Sequence, residues 1–210
     1  MDRGRYLCFE GGHASGKSAL SLEVNAELGR RNQRATHVTF PSDRSDVGNL
    51  IRAYLKGEAA IASPKALLYL YAADGHAVDP WMNEVLHFGA HVVADRHPVY
   101  SGRVYQLEHH PQWHIENVYA TAELLVPDVL FVVDVPPEVA IERMQRREKY
   151  KAKIFETSDV EKMEVYRQRY LELAATAVDR RLARRCHVLD GTHPMGDLVA
   201  DAISLAGPFY

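Results

Sequence analysis

The segment Gly11-Gly12-His13-Ala14-Ser15-Gly16-Lys17-Ser18 carries the spacing G-x-x-x-x-G-K-[ST] of a phosphate-binding loop. Glycines at 11 and 16 allow a turn whose successive amides point inward at phosphate oxygens, and a helix N-terminus behind them adds partial positive charge. Lys17 would then reach the β- and γ-phosphates of a nucleoside triphosphate, and Ser18 would hold Mg²⁺. The bland alternative is a glycine-rich turn that fits the pattern by accident. It is the weaker reading, because the motif follows a short apolar run and opens a segment of helical period, as this chemistry requires.

A second group of residues suits a second anion. Asp95 and Arg96 follow the apolar run 91–94, where ligands of open α/β sheets bind; Asp95 could hold the Mg²⁺ shell and Arg96 could clamp another phosphate. Arg44 follows the run 35–40 and is a candidate for the same clamp, although alone it is an ordinary loop arginine. Residues 143–153 concentrate Arg143, Arg146, Arg147, Lys149, Lys151 and Lys153 before Phe155 and Glu156. Taken alone, that stretch reads as a solvated helix end with cations near its C-terminus. Beside a triphosphate site it reads as a basic lid. The 11 histidines lack metal-ligand spacing, and the adjacent His109 and His110 cannot share one helical face. Trp81 and Trp113 read as core residues.

The elements that must position these groups follow from periodicity. Short β-rich runs at 6–9, 35–40, 91–94, 129–133 and 187–189 alternate with helical segments at 17–31, 64–88, 115–125, 137–147, 161–185 and 195–206. That alternation predicts an α/β fold with five parallel strands. Nothing along the 210 residues resembles a linker, so one domain over 1–210 is expected. With 25 Lys+Arg against 28 Asp+Glu, the net charge of -3 argues against a protein that coats nucleic acid or an anionic membrane. No window is long and apolar enough to span a bilayer, and Cys8 and Cys186 sit in apolar runs as small core residues. A cytoplasmic protein is expected.

With these residues in order, the chain resembles the thymidylate kinase family over nearly its whole length. The blocks that carry the resemblance are Phe9-Glu10-Gly11 through Ser18, Phe40-Pro41 with Arg44-Ser45, residues 67–74, Asp95-Arg96-His97, Ser101 with Tyr105-Gln106, 134–138 with Arg143, and Phe155-Glu156. The resemblance implies a P-loop fold with strand order 2-3-1-4-5, a lid at about 143–156, and a homodimer. It implies transfer of the γ-phosphate of ATP, with Mg²⁺, to a deoxynucleoside monophosphate, dTMP first among them. Arg44 and Arg96 would hold the acceptor phosphate, Tyr71 would stack on its base, and Tyr105 would close the 2′ side of its sugar, with Phe40 and Gln106 beside them. Arg143 and the turn Asp190-Gly191-Thr192 would flank the donor adenine, and Arg146 and Arg147 would neutralise the transferring phosphoryl group. Three departures stand out: Gly75 replaces a base-reading arginine, His13 a sugar-contacting aspartate, and Ala14 a P-loop arginine that some members carry. A kinase of another nucleotide or nucleoside, and a nucleotide-dependent switch, are the rival readings.

Overall fold

A computed structural model describes residues 3–146 and 158–208. Five strands, β1 (Tyr6–Gly11), β2 (Ala35–Thr39), β3 (His91–Asp95), β4 (Val129–Asp134) and β5 (Arg185–Asp190), pair in parallel in the order β2-β3-β1-β4-β5. This is the order expected of the fold. Around them lie α1 (Lys17–Arg30), α2 (Asp46–Leu55), α3 (Pro64–His87), α4 (Pro98–Tyr105), α5 (Gln112–Ala122), α6 (Pro137–Gln145), α7 (Val160–Thr176) and α8 (Met195–Ala206).

β1 is buried along its whole length because helices cover both faces of the sheet. Tyr6 and Cys8 point into one apolar layer, with Leu68 and Met82 of α3 and Tyr166 and Tyr170 of α7. Leu7 and Phe9 point into the other, with Leu20, Val24 and Leu28 of α1 and Ala202 and Ile203 of α8. Each Leu, Ile, Val, Phe or Met among them contributes about 1.5–3 kcal/mol when fully buried. A parallel sheet needs these two layers, and it places every strand's carboxyl end on one edge. Residues 11, 39, 95, 134 and 190 therefore share a rim.

Helix starts follow local chemistry. Ser45 caps α2 by accepting a hydrogen bond from the Gly48 amide, at 2.8 Å. His97 caps α4 with Nδ1, 3.1 Å from the Val99 amide, while Nε2 faces the Leu125 carbonyl at 3.0 Å, with Pro98 in the first turn. Burial pushes the His97 pKa down to about 4, consistent with a neutral ring whose Nε2 carries the proton.

Three expectations are corrected. The helix expected over 161–185 ends at Thr176; Arg181 takes φ 55, the Leu182 amide bonds the Ala177 carbonyl at 2.8 Å, and the chain enters β5 at Arg185. Helices α2 and α4, absent from the sequence reading, occupy 46–55 and 98–105. Trp113 is 67% exposed rather than core. Arg147 and the rest of the expected lid over 147–156 lie outside the described residues. Cys8 and Cys186 are free, and among the described residues no helix is long and apolar enough to cross a membrane.

Helix α4 packs so closely on α5 that a Cβ at Gly102 would fall 1.9 Å from the Tyr119 hydroxyl oxygen. Gly102→Ala should therefore lower stability by ~1–3 kcal/mol through overpacking. Gly29→Ala in α1, where a Cβ meets nothing within 4 Å, should raise it by up to ~1 kcal/mol. Paired urea denaturation curves measure both, and equal midpoints for the two variants would contradict the packing.

Candidate active site

The rim opens into a cavity of about 580 Å³, which joins the loop after β1 to the residues after β2 and β3. Gly11 takes φ 145, and a Cβ there would lie 2.4 Å from the Val133 carbonyl oxygen, so only glycine lets β1 turn out of the sheet beside β4. Gly16 caps α1 at φ 94, and Ala14 between them takes φ 52. Gly12 lends its carbonyl to Lys17 Nζ at 3.0 Å. Lys17 is buried, yet it lines the cavity together with His13, Ala14, Gly16 and Ser18. Ser15 is buried beneath them.

Arg143 of α6 braces this loop. Its Nη1 donates to the Ser15 carbonyl at 3.2 Å and its Nη2 to the Gly191 carbonyl at 2.7 Å, tying the loop to the turn after β5. In that turn the Asp190 carboxylate accepts from the Thr192 amide at 2.9 Å and hydroxyl at 2.7 Å. Those bonds hold its pKa below the usual carboxylate range.

On the β3 side, parallel pairing sets Asp95 level with Phe9 of β1 and Thr39 of β2. Arg96 lines the cavity from a left-handed backbone, φ 75, which costs a non-glycine residue about 1–3 kcal/mol. Burial alone would depress its pKa, but Tyr170, Tyr105, Glu10 and Asp95 more than reverse that and keep the guanidinium charged. Phe40, Tyr71, Tyr105 and Gln106 line the same space, and the Tyr105 ring packs at a tilt of 38° against that of His13, with ring centroids 5.3 Å apart. The phosphate-binding loop and the α4 wall of the cavity therefore touch.

The structure moves three expected site residues elsewhere. Arg44 does not line the cavity: its guanidinium lies 3.9 Å over the Trp81 ring. The cause is the buried Asp74 of α3, which accepts from the Ser42 amide at 2.8 Å and the Ser45 hydroxyl at 2.6 Å; with both flanking residues pulled inward, Arg44 is turned out. Gly75 does not line the cavity either. A Cβ there would lie 2.7 Å from Leu124 Cδ1, so Leu124 occupies the path an arginine stem would take. The next residue, His76, is exposed on α3. Arg146, at the exposed end of α6, pairs with Glu142 one turn back rather than facing the cavity.

The cavity also gathers residues the sequence reading missed. Arg52 and Lys56, one turn apart, line the cavity from α2 and its C-cap, and Arg52 Nε is held by the Pro41 carbonyl at 2.7 Å. The signal was present as Ser45 followed by Asp46, a helix start, with two cations spaced i, i+4 beyond it. Glu108, Lys162 and Tyr166 close the far wall, linked by a 3.2 Å ion pair and a Tyr166–Glu108 hydrogen bond.

A phosphate-binding loop and further cations lining one cavity suit transfer of a phosphoryl group between nucleotides, and comparison with known proteins agrees. The thymidylate kinase family model matches residues 9–201. The chain belongs to the thymidylate kinase family. It is 30% identical to the thymidylate kinase of Plasmodium falciparum over 76% of this chain and 73% of that one. It is 28% identical to that of Dinoroseobacter shibae over 96% and 95%, and 31% identical to a probable thymidylate kinase of Methanothermobacter thermautotrophicus over 80% of each. As a member of the thymidylate kinase family, the protein is an ATP-dependent phosphotransferase.

Lys17→Ala should lower kcat by at least about a hundredfold, because a charge meeting phosphate in a dehydrated loop is worth several kcal/mol in the transition state. Circular dichroism should be unchanged. Near-wild-type turnover in a coupled ADP-release assay would remove Lys17 from the chemistry.

Proposed function

We propose that the chain transfers the γ-phosphate of ATP to dTMP, giving dTDP and ADP, within a single P-loop kinase domain. The observation that carries this reading is the shared cavity, lined by Lys17 and Ser18 of the loop together with Arg52, Arg96, Tyr71 and Tyr105. ATP would lie along the loop, its adenine toward Arg143 and the turn 190–192. The acceptor phosphate would sit between Arg96 and Arg52, its base against Tyr71, and its deoxyribose under Tyr105.

Phosphoryl transfer asks little covalent work of the protein. Loop amides and Lys17 hold the donor phosphates, and Arg96 and Arg52 hold the acceptor phosphate in line, so that approach is no longer a bimolecular search. The acceptor phosphate is already anionic, so no carboxylate base is required. The basic stretch at 143–156, Arg146 and Arg147 included, would close over the phosphates and exclude water once both nucleotides are bound.

Ser18 and Asp95 fit Mg²⁺. Both offer hard oxygens, and Asp95 Oδ1 is buried with no hydrogen-bond partner among the described residues, as a carboxylate oxygen reserved for a cation or its water would be. Such an ion would neutralise charge on the β- and γ-phosphates. We also propose that the protein is a cytoplasmic homodimer, in keeping with its free thiols and with the family resemblance.

A second reading, weaker choice among bases, is favoured by Leu124 over Gly75, since no arginine can donate to thymine O4 from that position. Steady-state kcat/KM across dTMP, dUMP, dCMP, dGMP and dAMP separates the readings. We expect dTMP to lead, dUMP to follow, and dCMP to trail by only about ten- to a hundredfold, the effect of one missing hydrogen-bonding partner. A purine monophosphate in first place would end the thymidylate reading and leave the kinase reading standing.

The same assay sorts the arginines. Arg52→Ala should raise the KM for dTMP by about tenfold or more, since a charge-assisted hydrogen bond is worth roughly 1.5–3 kcal/mol. Arg44→Ala should leave that KM within about twofold and only loosen the Trp81 contact, worth ~0.5–1 kcal/mol at an exposed site. The reverse ranking would restore Arg44 to the clamp.

A further inference from the structure

Glu10 is the last carboxylate before the phosphate-binding loop, and it is completely buried. A buried carboxylate costs several kcal/mol unless it is paired and hydrogen-bonded, so its partners are informative. Its Oε1 accepts from the His97 amide at 2.8 Å and lies 3.2 Å from the Ser101 hydroxyl. Its Oε2 accepts from the Tyr170 hydroxyl at 3.1 Å and pairs with Arg96 Nη1 at 3.3 Å. Arg96 Nη1 also reaches the hydroxyls of Ser101 at 3.0 Å and Tyr170 at 3.1 Å. Burial pushes the Glu10 carboxyl upward, and Arg96 and the His97 amide oppose that shift.

These contacts act on Arg96 at two places. The bond to the His97 amide fixes the peptide that follows Arg96, and the Arg96 amide is held by the Phe9 carbonyl at 2.9 Å, so both sides of the left-handed residue are tied to β1. Among the described residues, the hydrogen bonds of the side chain converge on Nη1. That leaves the rest of the guanidinium for the cavity Arg96 lines. A surface ion pair would need neither the strained backbone nor the convergence.

We propose that Glu10 and Tyr170 are positioning residues for Arg96: the carboxylate on β1 and the hydroxyl on α7 hold the guanidinium in the pose that grips the acceptor phosphate. This rests on the proposed transfer to a monophosphate. It predicts that losing either group weakens acceptor binding through Arg96 and leaves ATP binding alone. Glu10→Gln keeps an oxygen for the His97 amide but turns an NH₂ toward Nη1, setting donor against donor. Tyr170→Phe removes only the hydroxyl.

The test is a double-mutant cycle with Arg96→Ala, reading KM for the acceptor and for ATP separately. Expected are a rise of about tenfold in acceptor KM for Glu10→Gln and about threefold or more for Tyr170→Phe, on the scale of one hydrogen bond to a charged group, with ATP KM within about twofold. In the Arg96→Ala background neither substitution should change acceptor KM further. Equal effects with and without Arg96, or an unchanged acceptor KM in Tyr170→Phe, would overturn the proposal. If Glu10→Gln fails to fold, Tyr170→Phe and Ser101→Ala carry the cycle alone. Wild-type turnover of dTMP tests the functional reading separately; if another monophosphate is preferred, that reading fails and the cycle is run with the preferred acceptor.

Discussion

Everything at the rim depends on how β1 ends. A central strand is dry on both faces and paired on both edges, so the chain can leave it only where no side chain obstructs the neighbouring carbonyl, and Gly11 beside Val133 meets that condition. Once the chain turns there, the loop amides face the rim and α1 begins beneath it with its positive end at the turn. The same strand sets the neighbouring site. Pairing of β1 with β3 fixes Asp95 opposite Phe9, and Arg96 follows at once, bound to β1 through the Phe9 carbonyl.

The fold was largely legible in the sequence because its signals are local. Short β-rich runs, a glycine loop in the right place and helical periods between runs are properties of neighbouring residues, and they recovered the five strands and most helices. Failures came where a decision belonged to distant partners. The segment 161–185 keeps a helical composition, yet it breaks after Thr176 because Arg184 and Arg185 are claimed by the Pro127 and Asp128 carbonyls ahead of β5. The family resemblance implies Arg44 at the acceptor phosphate, but Asp74 pulls in Ser42 and Ser45, and the Arg44 guanidinium lies over Trp81 outside the cavity lining. Gly75 was legible as a departure. That Leu124 fills the space was not, since nothing local joins those two positions.

Helix α7 shows how a single element can brace both halves of a site. Tyr166 packs edge-on against Tyr105 in the cavity wall, with ring centroids 4.8 Å apart. One turn on, Tyr170 reaches Glu10 and Arg96. Between them Arg167 forks onto both oxygens of Asp134 at the end of β4, at 2.7 and 2.8 Å, the geometry in which an arginine and a carboxylate orient each other best. Tyr170 stands four residues after Tyr166 and three after Arg167, the spacings at which helix side chains become neighbours.

The fit between Gly75 and Leu124 makes the history of this wall depend on order. A long side chain at 75 collides with Leu124 as it stands, and a smaller residue at 124 opposite glycine leaves a void in the packing beside Pro98. Each change is harmful without the other. A lineage that carries both is therefore held in place by packing, and a long side chain can enter at 75 only through a paired exchange at two positions far apart in the chain.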